Sequence, residues 1–345
     1  MMNSYEHGGD IYGYSQDIID FSSNINPLGP PPAVRSAYEQ AFENCMHYPD
    51  PFCRELCEEI AQHEGVLSSQ IVCGNGAADL IYRIIAWYKP KRALITAPAF
   101  SEYEQALKLF GCSVERYCLN EKNNFNVDEV FAKKICNVDI VFLCNPANPV
   151  GNTISHNLMR KFAQAAVKSG TLLVIDECFL DFLIKAEELT AKPFIENGHV
   201  IILKAFTKTY SMPGLRLGYC IATNNYASLI RAAGQPWPVS VPAQLCGIAA
   251  IQDKEYLIKT REYIRAEYVK FKFALEKLGF RLYSSQANFV FVRHINLDLK
   301  DMLLRHNILI RDCSNYHMLE KGYYRFAIKK ANENDYLFEC IEKTI

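Results

Sequence analysis

The sequence lacks several patterns that would place it in other protein classes. It has no run of about 18 apolar residues and no basic segment leading into an apolar one at its start, so we expect neither membrane insertion nor export. Its net charge is −1, which provides no strong field for nucleic acid or an anionic membrane. The motifs Gly-x-Gly-x-x-Gly, the Walker loop and His-Glu-x-x-His are also absent, so the usual dinucleotide, nucleotide and zinc-protease signatures do not apply.

The cysteines do not form a recognisable framework. There are 13, an odd number, with no Cys-x-x-Cys pair, and several lie in apolar runs such as Val141–Cys144. This pattern is typical of reduced, buried thiols and favours neither disulfides nor a metal site. We therefore expect a cytoplasmic protein without a metal.

Short apolar runs alternate with helical segments over most of the 345 residues, which predicts an α/β fold with a mostly parallel sheet. We expect a large domain over residues 46–235, with residues 1–45 as an extended N-terminal arm and residues 236–345 as a smaller domain. The clearest predicted strands are Ala93–Thr96, Asp139–Cys144, Thr171–Asp176, Val200–Leu203 and Leu217–Ala222.

Polar residues follow three of these strands, at the sheet edge where ligands bind in such folds. They are Asn145–Gly151, Asp176 and Thr207–Lys208. The Asp176 carboxylate follows a buried strand, and burying it without a cation would be costly. The protonated ring nitrogen of pyridoxal phosphate would supply that cation; a helix N-cap or a structural ion pair is the alternative.

Two further segments suit the same cofactor. Cys73–Asp79 is a turn of small residues that opens a helix, and its free N–H groups favour a phosphate, although an ordinary capped helix looks similar. Lys208 must be partly neutral to attack an aldehyde, and we expect Arg216 to lower its pKa and to bind the phosphate.

These motifs resemble those of the fold-type-I pyridoxal-phosphate enzymes, which have the aspartate-aminotransferase fold with a large domain and a smaller α+β domain. The strongest matches are Asn145–Gly151, Asp176–Phe179 and Thr207–Lys208 with Arg216 eight positions later. Within that family the chain is most similar to the branch of threonine-phosphate decarboxylase and histidinol-phosphate aminotransferase.

The resemblance implies a role for each of several residues. It makes Lys208 and Asp176 catalytic: Lys208 binds the cofactor covalently, and Asp176 pairs with the ring nitrogen. The other implied cofactor contacts are Asn148 at the ring hydroxyl, Phe100 on the ring face, Gly76, Ala77, Thr207 and Arg216 at the phosphate, and Tyr48 at the phosphate of a neighbouring subunit. The implied substrate contacts are His7, Asn26, Asn148, Arg311 and Arg325. Tyr48 in that role implies a homodimer with shared sites.

Four separated segments favour the decarboxylase over the aminotransferase: His7–Asp10, Asp20–Gly29, Gln235–Ser240 and Ile310–Ser314. Phe179, where many aminotransferases have tyrosine, favours it as well, whereas Ala205 replaces a common serine or threonine phosphate contact. The resemblance thus implies decarboxylation of O-phospho-L-threonine or O-phospho-L-serine in cobalamin biosynthesis. Histidinol-phosphate aminotransferase is the nearest alternative; a regulator or a binding module on this fold would leave Lys208, Asp176 and Asn148 unexplained.

Overall fold

The computed structural model describes residues 7–14, 17–283, 285–294 and 298–343. Its strands are β1 Ile19–Asp20, β2 Ile71–Gly74, β3 Arg92–Ala97, β4 Ser113–Cys118, β5 Ile140–Cys144, β6 Leu172–Asp176, β7 Val200–Ala205, β8 Gly218–Ile221, β9 Arg281–Leu282, β10 Phe289–Arg293, β11 Ile308–Leu309, β12 Arg311–Asp312 and β13 Tyr323–Ala327. Its helices are α1 Pro32–Asn44, α2 Arg54–Glu64, α3 Gly76–Tyr88, α4 Ser101–Leu109, α5 Val130–Ile135, α6 His156–Ser169, α7 Ala186–Leu189, α8 Phe206–Thr209, α9 Asn224–Ala232, α10 Val241–Gln252, α11 Lys254–Lys277, α12 Leu299–Leu304 and α13 Ala331–Glu342.

A seven-stranded sheet forms the centre of the molecule, in the order β2-β8-β7-β6-β5-β3-β4. Strands β5 and β6 are buried at every position, because helices cover both faces of the sheet. The sheet is parallel except for β8, which runs antiparallel to both neighbours. The carboxyl ends of β2, β3, β5, β6 and β7 therefore lie at one edge, which confirms the expected fold class.

A second sheet of four antiparallel strands has the order β12-β13-β10-β9, and helices α11 and α13 pack beside it around Phe271 and Phe326. The short strand β1 of the N-terminal segment pairs with β11 and so joins that segment to the C-terminal part of the chain. The proposed boundaries between a large and a small domain remain a prediction.

The segment expected as an extended arm contains a helix over its last third. Helix α1 begins with Pro32, whose fixed φ suits a first helical position. Its Val34 belongs to the same apolar core as Cys246 of α10. Turn-forming residues at its start gave the whole segment a loop-like composition that concealed this helix.

All 13 cysteines are free thiols, and most of them are buried. In the part of the chain that the structure describes, no helix combines the length and the apolar character needed to cross a bilayer.

Candidate active site

A cavity of about 410 Å³ opens at the edge of the large sheet where β5, β6 and β7 end. Ten of the residues selected from the sequence line it: His7, Ala77, Phe100, Asn148, Asp176, Thr207, Lys208, Arg216, Arg311 and Arg325. Asn148, Asp176, Thr207 and Lys208 meet here because parallel strands end at one edge, and the N-terminal segment and the second sheet add His7, Arg311 and Arg325.

Lys208 is positioned by the one-turn helix α8, which follows directly on β7. The Lys208 carbonyl accepts a hydrogen bond from the backbone N–H of Asn26 at 3.1 Å, so the N-terminal segment fixes this turn. Burial, followed by the charges of Arg325 and Arg216, lowers the pKa of the Lys208 amine to about 8. Burial and Arg325 thus weigh more than Arg216, which was the cause expected from the sequence.

Asp176 lies at the end of β6 and is buried. Its Oδ2 accepts from the Tyr103 hydroxyl at 2.5 Å, and its Oδ1 accepts from the Cys178 backbone N–H at 3.0 Å. Both donors are neutral, and no ion pair to Asp176 occurs among the described residues. This buried carboxylate therefore faces the cavity without a cationic partner from the described protein, which argues against the structural ion pair.

Asn148 is held in the loop after β5, and the loop is braced by Asn145. The Asn145 side chain donates to the Leu189 carbonyl at 3.0 Å and accepts from the Ile154 N–H at 2.9 Å. The oxygen of the Asn148 amide accepts from Arg325 at 2.5 Å. The amide nitrogen of Asn148 is then the group available to a ligand in the cavity.

Arg311 and Arg325 form a pair of cations on one face of the small sheet. They are directly opposite each other in the register of β12 and β13, so both side chains project from the same face. Both are buried, and burial lowers the pKa of Arg325.

The hydrogen bonds of both guanidinium groups go to neutral acceptors. Arg325 donates to Asn148 and to the Ser22 carbonyl at 2.6 Å, and Arg311 donates to the Asp312 carbonyl and the Asn315 side chain. Neither arginine forms an ion pair with a carboxylate in the described part of the chain. Two adjacent buried cations without a carboxylate suit an anionic ligand.

The start of α3 lies at the side of the cavity where the sequence predicts the phosphate. Gly76 has φ +80°, and a Cβ atom on it would come within 2.5 Å of the Arg216 guanidinium. The absence of a side chain at Gly76 therefore lets Arg216 approach the free N–H groups of the helix start. Thr207 and Ala77 line the same side of the cavity.

Of the remaining predicted contact residues, His7 lies at the cavity, whereas Tyr48 and Asn26 do not line it. His7 Nε2 lies 2.9 Å from a carboxylate oxygen of Glu102, at the cavity wall beside Phe100. Tyr48 is 79% exposed and stacks on Trp237 with ring centroids 4.5 Å apart, so it contributes to the surface and not to this chain's own cavity.

The structure does not bring the side chain of Asn26 into the cavity, which corrects its expected contact with substrate. Its amide donates to the Thr209 carbonyl at 2.8 Å and to the Thr260 hydroxyl at 2.9 Å, and it accepts from the Leu28 N–H. These contacts tie the N-terminal segment to α8 and α11. Asn26 therefore has a structural position, one that sequence spacing could not reveal.

Tyr103 is a cavity residue that the sequence reasoning missed. It is 1% exposed and lies in the first turn of α4, three positions after Phe100, which directly precedes the helix. The i, i+3 spacing from Phe100 was the available signal, but an aromatic residue at that spacing is usually a core residue.

The arrangement fits pyridoxal phosphate in three respects. A buried carboxylate without a cation suits the protonated ring nitrogen, an amine with a pKa of about 8 suits the aldehyde, and the uncrowded start of α3 beside Arg216 suits the phosphate. The roles of the individual residues remain predictions.

Comparisons with known proteins point to the same family. Residues 16–341 match the family model described as aminotransferase class I and II. The threonine-phosphate decarboxylase of Salmonella typhimurium is 34% identical, over 98% of this chain and 96% of that protein. The solved histidinol-phosphate aminotransferase of Clostridium acetobutylicum is 32% identical, with a TM-score of 0.88 over 94% of this chain and 98% of the other.

The solved L-threonine-O-3-phosphate decarboxylase of Porphyromonas gingivalis is 24% identical and shares the fold, with a TM-score of 0.84 over 94% of this chain and 98% of that one. The region that the family model matches, residues 16–341, includes every strand of the large sheet. It also includes every residue of the cavity except His7 and Gly8, which precede residue 16. The chain belongs to the class I and II aminotransferase family.

Proposed function

We propose that this protein is a pyridoxal-phosphate-dependent decarboxylase of O-phospho-L-threonine, or of its close relative O-phospho-L-serine, in cobalamin biosynthesis. The Cα–carboxylate bond of the substrate breaks, carbon dioxide leaves, and a proton replaces it at Cα. The product is the phosphorylated amino alcohol.

The observation that carries this proposal is the pair Arg311 and Arg325. Both are buried at the cavity, opposite each other, and hydrogen-bonded only to neutral acceptors among the described residues. A substrate with a carboxylate at one end and a phosphate at the other supplies an anion for each guanidinium. Bidentate pairing with carboxylate and phosphate is the contact that arginine makes best.

The cofactor is pyridoxal 5'-phosphate, which supplies an electron sink for the bond that breaks at Cα. Lys208 would hold it covalently, Asp176 would pair with its ring nitrogen, Asn148 would bind its ring hydroxyl and Phe100 would cover its ring face. Its phosphate is bound by Gly76, Ala77, Thr207 and Arg216. Ala205 lines the cavity without a hydroxyl, so phosphate binding depends more on Thr207, Arg216 and the helix start.

The protein selects the reaction by orienting the substrate, because the bond that breaks is the one held perpendicular to the cofactor ring. Arg325 and Asn148 would hold the substrate carboxylate in the orientation that decarboxylation needs, while Arg311 and His7 would hold the phosphate. The Lys208 Nζ delivers the proton to Cα, and its lowered pKa suits an amine that gives and takes a proton near neutral pH.

Phe179 supports decarboxylation over amino transfer. It lines the cavity next to Asp176 and packs edge-on against Phe289, with ring centroids 5.3 Å apart. It therefore offers no hydroxyl to the cofactor, where many aminotransferases have a tyrosine.

Histidinol-phosphate aminotransferase is the second candidate, favoured by the 32% identity to the solved enzyme of that name. Histidinol phosphate carries an imidazole and no carboxylate. Bound in this cavity, it would satisfy one of the two buried arginines with its phosphate and leave the other without an anion. The phospho-amino acid thus fits the two arginines better than histidinol phosphate does. The co-substrate 2-oxoglutarate would also bring two carboxylates, so the preference for the decarboxylase rests on the amino-group substrate and on Phe179.

The two candidates can be separated with purified holoenzyme. With carboxyl-labelled O-phospho-L-threonine we expect labelled carbon dioxide and the phosphorylated amino alcohol, identified by mass; O-phospho-L-serine is compared in parallel. With histidinol phosphate and 2-oxoglutarate we expect no glutamate. Glutamate without carbon dioxide would establish the aminotransferase instead, and Lys208→Ala must abolish both activities and the visible absorbance of the cofactor.

The working enzyme is a homodimer with shared sites. Supporting this, large apolar side chains are exposed on and after α1 and near residue 237: Tyr38, Phe42, Met46, Tyr48, Phe52 and Trp237. An exposed group of this kind is typical of an interaction surface. Tyr48 of the partner subunit then reaches the cofactor phosphate. The 13 free thiols favour the reducing cytoplasm as its location.

A further inference from the structure

Tyr103 is joined to two parts of the cofactor site at once. Its hydroxyl donates to Asp176 Oδ2 at 2.5 Å, and its ring meets Phe100 edge-on, with centroids 5.6 Å apart. The Tyr103 ring also stacks on Phe142 of β5, with centroids 5.2 Å apart and planes 14° apart. Tyr103 is 1% exposed, so its hydroxyl bonds to Asp176 from within the protein interior.

The direction of this hydrogen bond is determined by the two groups. Burial, and then the charge of Asp176, raises the pKa of Tyr103 well above its ordinary value. The hydroxyl therefore keeps its proton and is the hydrogen-bond donor. The acceptor is the carboxylate. A donor on each carboxylate oxygen, from Tyr103 and from the Cys178 N–H, stabilises the anion relative to the neutral acid.

We propose that Tyr103 is a positioning residue that keeps the shared proton on the ring nitrogen of the cofactor by holding Asp176 ionised. A buried carboxylate facing a pyridinium can take its proton, which gives a neutral acid and a neutral pyridine. The Tyr103 hydroxyl opposes this transfer because it binds the anion more strongly than the acid. The inference rests on the proposed cofactor and on Asp176 as the partner of its ring nitrogen, but not on the identity of the substrate.

The test uses the variant Tyr103→Phe, which keeps the ring contacts and removes only the hydroxyl. Holoenzyme is loaded with cofactor labelled with ¹⁵N at the ring nitrogen, and the nitrogen chemical shift reports whether the ring is protonated. The wild-type protein should show the protonated shift, and Tyr103→Phe should move it towards the neutral value. A protonated wild-type ring with an unchanged shift in Tyr103→Phe would overturn the inference and leave the proposed function intact, whereas wild-type protein that binds no cofactor would overturn the proposed function.

A matched control is Tyr283→Phe. Tyr283 is also a buried tyrosine whose hydroxyl donates to a carboxylate, that of Glu121, but it does not line the cavity. This variant should leave the nitrogen shift and the activity unchanged. Circular dichroism and thermal unfolding establish that both variants are folded.

A second measurement separates proton placement from packing. With the normal cofactor, Tyr103→Phe should lower kcat by about 10- to 100-fold, the scale of one hydrogen bond to a charged group, with KM little changed. With a cofactor methylated at the ring nitrogen, which carries a permanent positive charge, wild type and Tyr103→Phe should have the same kcat. An equally large difference between them with the methylated cofactor would show that Tyr103 acts through packing and would refute the inference.

Discussion

At the scale of single residues, the site depends on groups whose charge the fold changes or leaves unpaired. Lys208 is half-buried near two arginines, Asp176 is buried beside neutral donors, and Arg311 and Arg325 lack carboxylates among the described residues. In water each would be an ordinary charged side chain. Burial in one cavity turns them into a set that an anionic cofactor and an anionic substrate would complete.

The lowered pKa of Lys208 predicts how the apoprotein captures its cofactor. Only the neutral amine attacks the aldehyde, so the rate should rise about tenfold per pH unit below the pKa and level off above it. The lowered pKa places this inflection near pH 8 instead of near the ordinary 10.5. Stopped-flow visible absorbance, with apoprotein and cofactor mixed at a series of pH values, measures it.

The cause of that shift can be tested with a pair of arginine variants. Arg325→Met removes the charge that, after burial, contributes most to lowering the pKa of Lys208, so the inflection should move to higher pH. Arg92→Met alters an exposed arginine outside the cavity and should leave the inflection unchanged. An inflection above pH 10 in the wild-type protein would show that the amine is not buried as described.

At the scale of elements, the sequence predicts where the strands that carry site residues begin and end. It does not predict the direction in which neighbouring strands pair. The predicted strand Thr171–Asp176 is β6 to within one residue, because a fully buried parallel strand is a continuous apolar run. The direction of β8 could not be predicted in this way, since antiparallel pairing depends on the return path of the chain. Helix α1 was hidden by the loop-like composition around it.

Side-chain contacts between residues far apart in the sequence are equally hard to predict. Residues at strand ends, such as Asp176, could be placed from the sequence because strand order brings their ends together. Asn26 and Tyr103 could not, because their partners Thr260 and Asp176 are 234 and 73 positions away and their contacts depend on packing. Periodicity reports which face of an element a residue occupies, and not which atom it meets there.

The start of α3 yields a prediction about the phosphate. Gly76→Ala would place a Cβ 2.5 Å from Arg216, so either the guanidinium or the helix start must move. We expect the cofactor to bind about tenfold or more weakly, which corresponds to about 1.4 kcal/mol. Fluorescence titration of the apoprotein with cofactor measures the affinity.

Gly111→Ala is the matched control. Gly111 has a similar φ of +74°, but no atom lies within 4 Å of a Cβ built there. Both variants carry the strain of a left-handed residue, about 1–2 kcal/mol, so the control separates this strain from the clash with Arg216 that Gly76→Ala alone introduces. If the two variants bound the cofactor equally well, the start of α3 would not be the phosphate site.

At the scale of the whole molecule, the cavity of one chain is incomplete in the proposed enzyme. Tyr48 is exposed and stacked on Trp237, and the single chain does not bring it to its own cavity. The exposed apolar side chains near it would be covered in a dimer, which would also place Tyr48 at the site of the partner subunit. Subunit assembly and cofactor binding should therefore be coupled.

Complementation between two inactive variants tests this coupling. A heterodimer of Lys208→Ala and Tyr48→Ala chains has one site with Lys208 from one chain and Tyr48 from the other, and a second site with neither. We expect each homodimer to be strongly impaired and the heterodimer, purified with two affinity tags, to regain about half of the wild-type turnover, since one of two symmetric sites is restored. A heterodimer of Lys208→Ala and Asp176→Asn chains is the control, because both residues line the same chain's cavity and each site then keeps one defect. A monomer in sedimentation, or no gain in the first heterodimer over the second, would mean that each chain builds its site alone.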